Sequence, residues 1–396
     1  MRLTSLEVVN FRGYAAAQVR FEPGVSTLLG RNGQGKTNLV EAAGYVATLR
    51  SHRVAADAPL IKHGTNTAII RAGIHRDGRE SLVELEIVAG RANRARLNRS
   101  VLSRPRDVLG TLRTVLFAPE DLALVKGEPT ERRAFLDDLL VARQPRWSGV
   151  RHDYDKTLKQ RNALLKSMRA GRTPGRRSAE PEADETTVAT LSVFDTHLAQ
   201  IGAALSYARL RLLHDLRPYL DEAYAQISDS DRDMLATASY RSSLHEEMAT
   251  DIAEGAVPEQ AALQEAMMVT MQQRTRAERE RGVSLVGPHR DDVMLSLGEI
   301  PAKGYASHGE SWSIALALRL ASFQLLRHDL GTDPVLILDD VFAELDSGRR
   351  SRLADMVRDC EQVIVTAAVA QDVPQDLVAG AIFDVAQQSI APRVVS

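Results

Sequence analysis

Cysteine is almost missing. Cys360 is the single one in 396 residues, which excludes a disulfide framework and fits a reducing compartment. Net charge is nearly absent too, at −2, so any contact with nucleic acid must come from a local patch and not from a basic chain as a whole. No apolar run approaches membrane-spanning length, and Met1-Arg2-Leu3-Thr4-Ser5-Leu6-Glu7 lacks a signal-peptide stretch. A cytoplasmic protein without a membrane partner is expected. The sequence has no internal repeat and no sustained heptad pattern, so no extended coiled coil is expected. Zinc-finger spacing, a helix-turn-helix pattern and an aromatic RNA-binding run are missing as well, which argues against base-specific reading. What is present is an ordinary globular balance, 44% hydrophobic and 26% charged, in a chain long enough for two or three domains.

Elements can be placed from periodicity. Leu3, Leu6, Val8 and Phe11, then Val19 and Phe21, alternate with polar residues as strands do. Val25–Leu29 reads as a short strand ahead of a glycine-rich loop, and residues from Asn38 onward read as helix. Ala68–Ile87 carries more strand, punctuated by Gly73 and Asp77-Gly78. Beyond Pro119 the spacing turns helical, over Glu131–Val141, Arg151–Met168 and Val188–Glu222, interrupted at Ala170–Arg177 and an acidic run through Glu185. Strand character returns at Val283–Val286 and Val293–Leu297. A long helix follows over His308–Arg327, and then buried strands at Val335–Leu338 and Val363–Thr366.

Gly30-Arg31-Asn32-Gly33-Gln34-Gly35-Lys36-Thr37 is a P-loop pattern in the right context, after a strand and before a helix. Its glycines let backbone amides face phosphate oxygens, Lys36 supplies a point charge, and the Thr37 hydroxyl is placed to ligate Mg²⁺. ATP with Mg²⁺ is the expected ligand. Val335-Leu336-Ile337-Leu338-Asp339-Asp340 supplies the second carboxylate site. Four apolar residues suit a strand buried on both faces, with Asp339 at its carboxyl end to hold Mg²⁺ in the Walker B role and Asp340 to polarise a water.

Ser307-His308-Gly309-Glu310 opens the long helix. Ser and Glu three apart form a capping box, which by itself says only that a helix starts there. One helix upstream of a Walker B strand, however, this pattern resembles the signature motif of ABC-type ATPases, and Asp346 in Ala343-Glu344-Leu345-Asp346 resembles their D-loop. That resemblance implies that Ser307 and Gly309 meet the γ-phosphate bound by a second copy.

Further stretches sharpen it. Leu6–Arg12, Ser51-His52-Arg53, Phe117–Leu122, Gln160-Arg161-Asn162 and Gly287-Pro288-His289-Arg290-Asp291-Asp292 join the motifs above. Together with Leu338–Asp346 they resemble, in order and spacing, the RecF family of recombination-mediator ATPases, relatives of SMC-type heads. The resemblance implies an α/β fold: an ABC-type P-loop ATPase head (lobe I) with an inserted, mainly helical lobe II. Residues 1–120 would be the N-terminal part of the head, 121–284 lobe II, and 285–396 the C-terminal part of the head. It further implies an ATP-dependent homodimer at gapped duplex or single-strand/double-strand junctions. A role in recombinational repair, replication restart and SOS induction, with RecO and RecR as partners, is also implied, as is an approach of Arg12 to the nucleotide.

The chain departs from the family pattern in places. Asp340 stands where ABC heads often have Glu, one methylene longer, so slow hydrolysis is expected. Glu310 replaces a frequent Gln, and Trp312 a frequent Arg. Thr366-Ala367-Ala368 holds no switch histidine, and Pro119-Glu120-Asp121 stands where a Q-loop glutamine is usual.

For DNA, Arg91, Arg94, Arg96 and Arg99, with Arg104 and Arg106, form a stretch without a carboxylate in an expected hairpin. A charge run is usually a solvated face. Arg172, Arg176 and Arg177 are weaker candidates beside acidic residues. His289 and Arg290 carry no assigned role. The competing readings are a non-hydrolysing ATP-sensing scaffold and the ATP-binding subunit of a transporter.

Overall fold

The computed structural model describes residues 1–170, 185–228, 235–378 and 380–393. The interruption beyond Ala170, with Arg172, Arg176 and Arg177, lies outside the described residues. The chain begins with β1 (Arg2–Phe11), β2 (Tyr14–Arg20), β3 (Gly24–Leu29) and α1 (Lys36–Thr48). Next come β4 (Thr67–Arg76), β5 (Arg79–Val88), β6 (Arg94–Leu97), β7 (Ser100–Val101) and β8 (Thr114–Phe117). Helices α2 (Leu122–Lys126), α3 (Pro129–Arg143), α4 (Trp147–Ala170) and α5 (Glu185–Ile227) lead to β9 (Ala236–Arg241), α6 (Glu246–Ala253) and α7 (Gln260–Arg281). The chain returns through β10 (Asp292–Leu297), β11 (Ile300–Pro301), α8 (Ala302–Tyr305), α9 (His308–Leu330) and β12 (Val335–Asp339). It continues through α10 (Ser347–Val357), β13 (Gln362–Ala367), α11 (Gln375–Val378), β14 (Ala381–Ala386) and β15 (Ser389–Pro392).

The site depends on one sheet, ordered β15-β14-β3-β13-β12-β8, in which every pairing but that of β15 is parallel. Such strands are buried on both faces and read as apolar runs. In β12 all five residues are buried. Val335 and Ile337 enter one core, with α1 and the antiparallel sheet β2-β1-β4-β5-β6-β7. Leu336 and Leu338 enter the other, with α9 and the helices beyond it. The period-2 alternation thus joins two cores through one strand, and each buried Val, Leu or Ile contributes about 1.5–3 kcal/mol. Because α9 lies between this sheet and α5, it is apolar nearly all round, and α5 packs in turn on α4 and α7.

Buried ion pairs bind the helices to one another and, through Asp292, to the small sheet β11-β10-β9. Arg132 forks onto Asp292 at 2.8 and 3.0 Å, and Arg209 onto Asp137 at 2.8 and 2.9 Å. Arg161 reaches Asp195, Glu278 and Ser284 at 2.6–2.7 Å. Removing one partner of such a pair costs about 3–5 kcal/mol, since the other charge is left buried and uncompensated.

One expected strand is corrected here. Val283–Val286 is not a strand, because side chains satisfy its backbone donors. Ser284 N donates to Asn162 Oδ1, Leu285 N to Glu278 Oε1 and Gly287 N to Ser243 Oγ. The Gly287–Asp292 motif that follows knits this region together. His289 Nδ1 meets the Tyr154 hydroxyl at 2.7 Å and its Nε2 meets the Ser284 carbonyl, while Arg290 donates twice to that same carbonyl. Both residues therefore bond within the helical section.

Burial drives the His289 imidazole down to about 4. Its folded pKa lies below its unfolded value, so the unfolded chain binds more protons as pH falls below about 6.5. The stability this site contributes is intact above pH 6.5 and is lost between 6.5 and 4, amounting to about 3 kcal/mol at most. Imidazole NMR should find His289 neutral at pH 5.5; a protonated ring at that pH contradicts this account.

Candidate nucleotide site

β3 leads into the loop Gly30–Thr37, and α1 starts at Lys36. Two glycines are dictated by their surroundings. A Cβ on Gly30 would lie 2.1 Å from the Val385 carbonyl oxygen, and Gly35 has φ 110° with the Tyr14 hydroxyl 2.6 Å from where a Cβ would stand. The loop is also fastened from the turn between β14 and β15: Gln387 N donates to Gln34 Oε1 at 2.5 Å and Gln388 N to the Gln34 carbonyl at 3.3 Å. Lys36 is 3% exposed, donates from Nζ to the Gly30 carbonyl at 2.7 Å, and lies 3.9 Å from Asp340 Oδ1. Arg31, Asn32 and Gly33 are exposed at the loop's outer turn.

Because β12 and β3 flank β13, the carboxyl end of β12 arrives beside this loop. The Thr37 hydroxyl donates to Asp339 Oδ1 at 3.2 Å. Burial pushes the Asp339 carboxyl up to about 6, opposed by the Thr366 hydrogen bond and reinforced by the charge of Asp340. Asp340 has φ 52°, a left-handed conformation that Asp tolerates better than most residues. The oxygens of Thr37 and Asp339 suit Mg²⁺, which takes one or two protein oxygens and fills its octahedron with phosphate and water. No cluster of three or more His, Cys, Asp or Glu suited to a metal occurs among the described residues.

The remaining nucleotide candidates make their contacts with other residues. The α9 capping box forms, with Glu310 N donating to Ser307 Oγ at 3.2 Å and Ser307 N to Glu310 Oε2 at 2.7 Å. Asp346 caps α10 by accepting from Arg349 N, and pairs with the Arg349 guanidinium at 3.0 Å. That guanidinium covers Gly309: its Nη1 lies 2.8 Å from where a Cβ would stand, so α10 and the start of α9 form one surface. Among the described residues, no hydrogen bond or ion pair joins Ser307, Gly309 or Asp346 to residues 30–37. The Pro119–Asp121 turn is fixed by Arg319, which donates to Asp121 Oδ1 at 2.6 Å, and Arg53 stands 3.6 Å from Glu120.

A residue not singled out from sequence is Glu41. It is fully buried in α1, yet Arg12 forks onto it at 2.8 and 2.5 Å and the Ser51 hydroxyl donates at 2.5 Å. Against burial, these contacts hold its carboxyl low. Periodicity marks it only weakly, as a carboxylate on the apolar face of a helix. Arg12 thereby braces α1, and a groove of about 630 Å³ beside Asn38 is lined by Arg12, Arg53, Lys62 and His63.

The arginine stretch forms the expected hairpin, β6–β7, but it is less basic than its sequence. Strand register aligns Glu7, Arg71, Glu84 and Arg96 in one cross-strand row. Arg71 pairs with Glu7 at 2.6 Å and Glu84 at 3.2 Å, and Arg94 with Glu86 at 3.3 Å. Arg104 pairs with Asp107. Arg91 and Arg99 are exposed and make no ion pair among the described residues.

Known proteins bear on this geometry. The family model for the RecF/RecN/SMC N terminal domain matches residues 2–389. A DNA replication and repair protein RecF of Kineococcus radiotolerans is 56% identical over 384 residues, 95% of each chain. That of Streptomyces avermitilis is 53% identical over 390 residues, 98% of this chain and 99% of its own. Among solved structures, the recombination mediator protein RecF with ATP superposes with a TM-score of 0.85 at 26% identity, covering 99% of this chain and 97% of that one. An SMC head bound to a winged-helix domain of ScpA gives 0.54 at 15% identity, over 100% of this chain and 98% of that one, a likeness of fold alone. The ABC-type ATPase head with its helical section is thereby borne out.

Proposed function

The chain belongs to the RecF family within the RecF/RecN/SMC N terminal domain, and from that premise we propose that it is an ATP-switched DNA-binding protein of replication and repair, working as a dimer. One observation carries the dimer. The P-loop and the acids Asp339 and Asp340 are gathered in one cluster, while Ser307, Gly309 and Asp346 belong to the α9–α10 surface and, among the described residues, make no bond to that cluster. Each chain then supplies half of two composite sites, and ATP bridges them. The likeness to the ATP-bound recombination mediator RecF of the RecFOR pathway supports this reading, and the RecO and RecR partnership and a role in recombination and SOS induction are proposed with it. The long helical section, the Thr366-Ala367-Ala368 stretch without a switch histidine and the missing Q-loop glutamine disfavour the transporter reading, and a cytoplasmic location fits a DNA partner. The division of the head at residues 1–120 and 285–396 around a helical lobe at 121–284 belongs to the same proposal.

In this reading the amides of Gly30–Thr37 and the Lys36 ammonium hold the β and γ phosphates, with the α1 N-terminus facing them. Bound Mg²⁺, held by Thr37 and Asp339, supplies charge neutralisation at the phosphates. Asp340 orients and takes a proton from the attacking water. Its side chain, one methylene shorter than Glu, suits slow turnover, which keeps open the second reading, a sensor that binds ATP and hardly hydrolyses it. Single-turnover hydrolysis with and without gapped DNA separates the two, and no turnover in either condition selects the sensor. For DNA, Arg91, Arg96 and Arg99 are exposed and make no ion pair among the described residues, whereas Arg94 is paired with Glu86. The deciding experiment is binding to gapped and intact duplex over a salt series, with and without ATP, alongside sedimentation. ATP-dependent dimers that prefer gapped DNA are expected. ATP-independent sedimentation with equal affinity for both DNAs overturns the proposal.

A further inference from the structure

Neither acid at the end of β12 is held by the nucleotide loop alone. Parallel pairing of β12 with β13 sets Asp339 beside Thr366, and both side chains are buried. Thr366 has one hydroxyl, which accepts from the Asp340 backbone N–H at 2.9 Å. The same oxygen lies 2.6 Å from Asp339 Oδ1 and 3.3 Å from Asp340 Oδ1. A hydroxyl has a single proton to give, and the shorter contact takes it. The bonds therefore run in one direction: Asp340 N–H to the Thr366 hydroxyl, and that hydroxyl to the Asp339 carboxylate.

We infer that Thr366 is a positioning residue for ATP hydrolysis, a clamp that aims both acids at once. Two consequences follow from the geometry. Asp339 Oδ1 is occupied by Thr366 and Thr37, so Oδ2, which makes no hydrogen bond among the described residues, is the oxygen turned toward an ion or its waters. Asp340, at φ 52°, is held there by a bond from its own backbone, so its carboxylate stays at the mouth of the loop, 3.9 Å from Lys36 Nζ. The strand end that lacks a histidine thus supplies a hydroxyl that orders the acids instead of a group that touches the water.

The inference rests on the proposal that nucleotide is hydrolysed at Asp339 and Asp340. Thr366→Val keeps the branched shape and deletes the hydroxyl; Thr366→Ser keeps the hydroxyl and deletes the methyl. Binding of a fluorescent ATP analogue, titrated with Mg²⁺, is read beside steady-state kcat and KM. Groups that orient a metal's ligand typically change metal affinity or activity by about 10–100-fold when removed. Thr366→Val should raise the Mg²⁺ concentration for half-maximal nucleotide binding and lower kcat, each within that range, while binding without Mg²⁺ stays as in the wild type. Thr366→Ser should behave as the wild type. A merely structural role predicts the reverse, since the methyl and not the hydroxyl fills the core. Wild-type values for Thr366→Val, or equal impairment of both variants, overturn the inference. Should Thr366→Val not fold, Thr366→Ser and Thr366→Ala, which differ by the hydroxyl alone, are compared in the same assays, and equal values there overturn it. A wild-type protein that neither binds nor turns over ATP defeats the underlying proposal, and the inference with it.

Discussion

Replacing Lys36 by alanine is expected to abolish ATP-driven pairing and to lower hydrolysis by about 10²–10³-fold, the usual consequence of removing a preorganised group that meets developing charge. Lys36 is the one cation buried inside the Gly30–Thr37 loop, and the Gly30 carbonyl holds its ammonium in place before any nucleotide arrives. A buried ammonium keeps more of its Coulomb strength than an exposed one, because water screens it less. The loop itself should survive. Lys36→Ala loses one bond to the Gly30 carbonyl, but the close approach of Val385 to Gly30 and of Tyr14 to Gly35, and the ties of Gln34 to Gln387 and Gln388, do not involve Lys36. A near-native melting temperature with unchanged sedimentation on adding ATP is therefore the expected pattern for the variant. Dimers that still form with ATP would refute the role of Lys36.

The second large effect is expected from Asp340→Asn. Asn is among the few residues that tolerate φ near 50°, so the left-handed turn and the backbone bond to Thr366 should persist. What disappears is the basic oxygen, and loss of a general base typically lowers rate by about 10²–10⁴-fold. Nucleotide affinity should change little, because the P-loop, Thr37 and Asp339 are untouched. An ATP-bound dimer should then accumulate and remain on DNA, seen as a slow dissociation phase that wild-type protein lacks. A variant that binds ATP normally yet stays monomeric would contradict this.

Legibility in the sequence follows the range of the interactions concerned. The P-loop, the β12 run and the Ser307–Glu310 box are written in contiguous residues, since turn chemistry, burial on both faces and helix capping are local demands. Long-range register is not written that way. That Thr366 would stand against Asp339, or Gln387 against Gln34, depends on which strands become neighbours. Glu41 looked like any helical carboxylate until Arg12 and Ser51 closed on it. That Arg94 would meet Glu86, and Arg96 stand opposite Glu84, was likewise not written locally, because those carboxylates lie on another strand. Val283–Val286 had the composition of a strand but found side chains for its backbone first.

The strand order has a consequence for how the protein is made. β3, which carries the P-loop, lies between β13 and β14, so Gly24 pairs with Gln362 and Ser26 with Ala381. At about 5–20 residues per second, roughly 20–70 s pass between synthesis of Gly24 and of its partner. Throughout that interval the nascent β3 is a strand with both edges bare, the kind of segment that pairs with the wrong neighbour or needs a chaperone. A ribosome that stalls before Gln362 leaves a fragment with an intact P-loop sequence and no sheet to hold it. Nucleotide binding then arrives as one of the last events of folding, and its appearance reports that the C-terminal strands have come home.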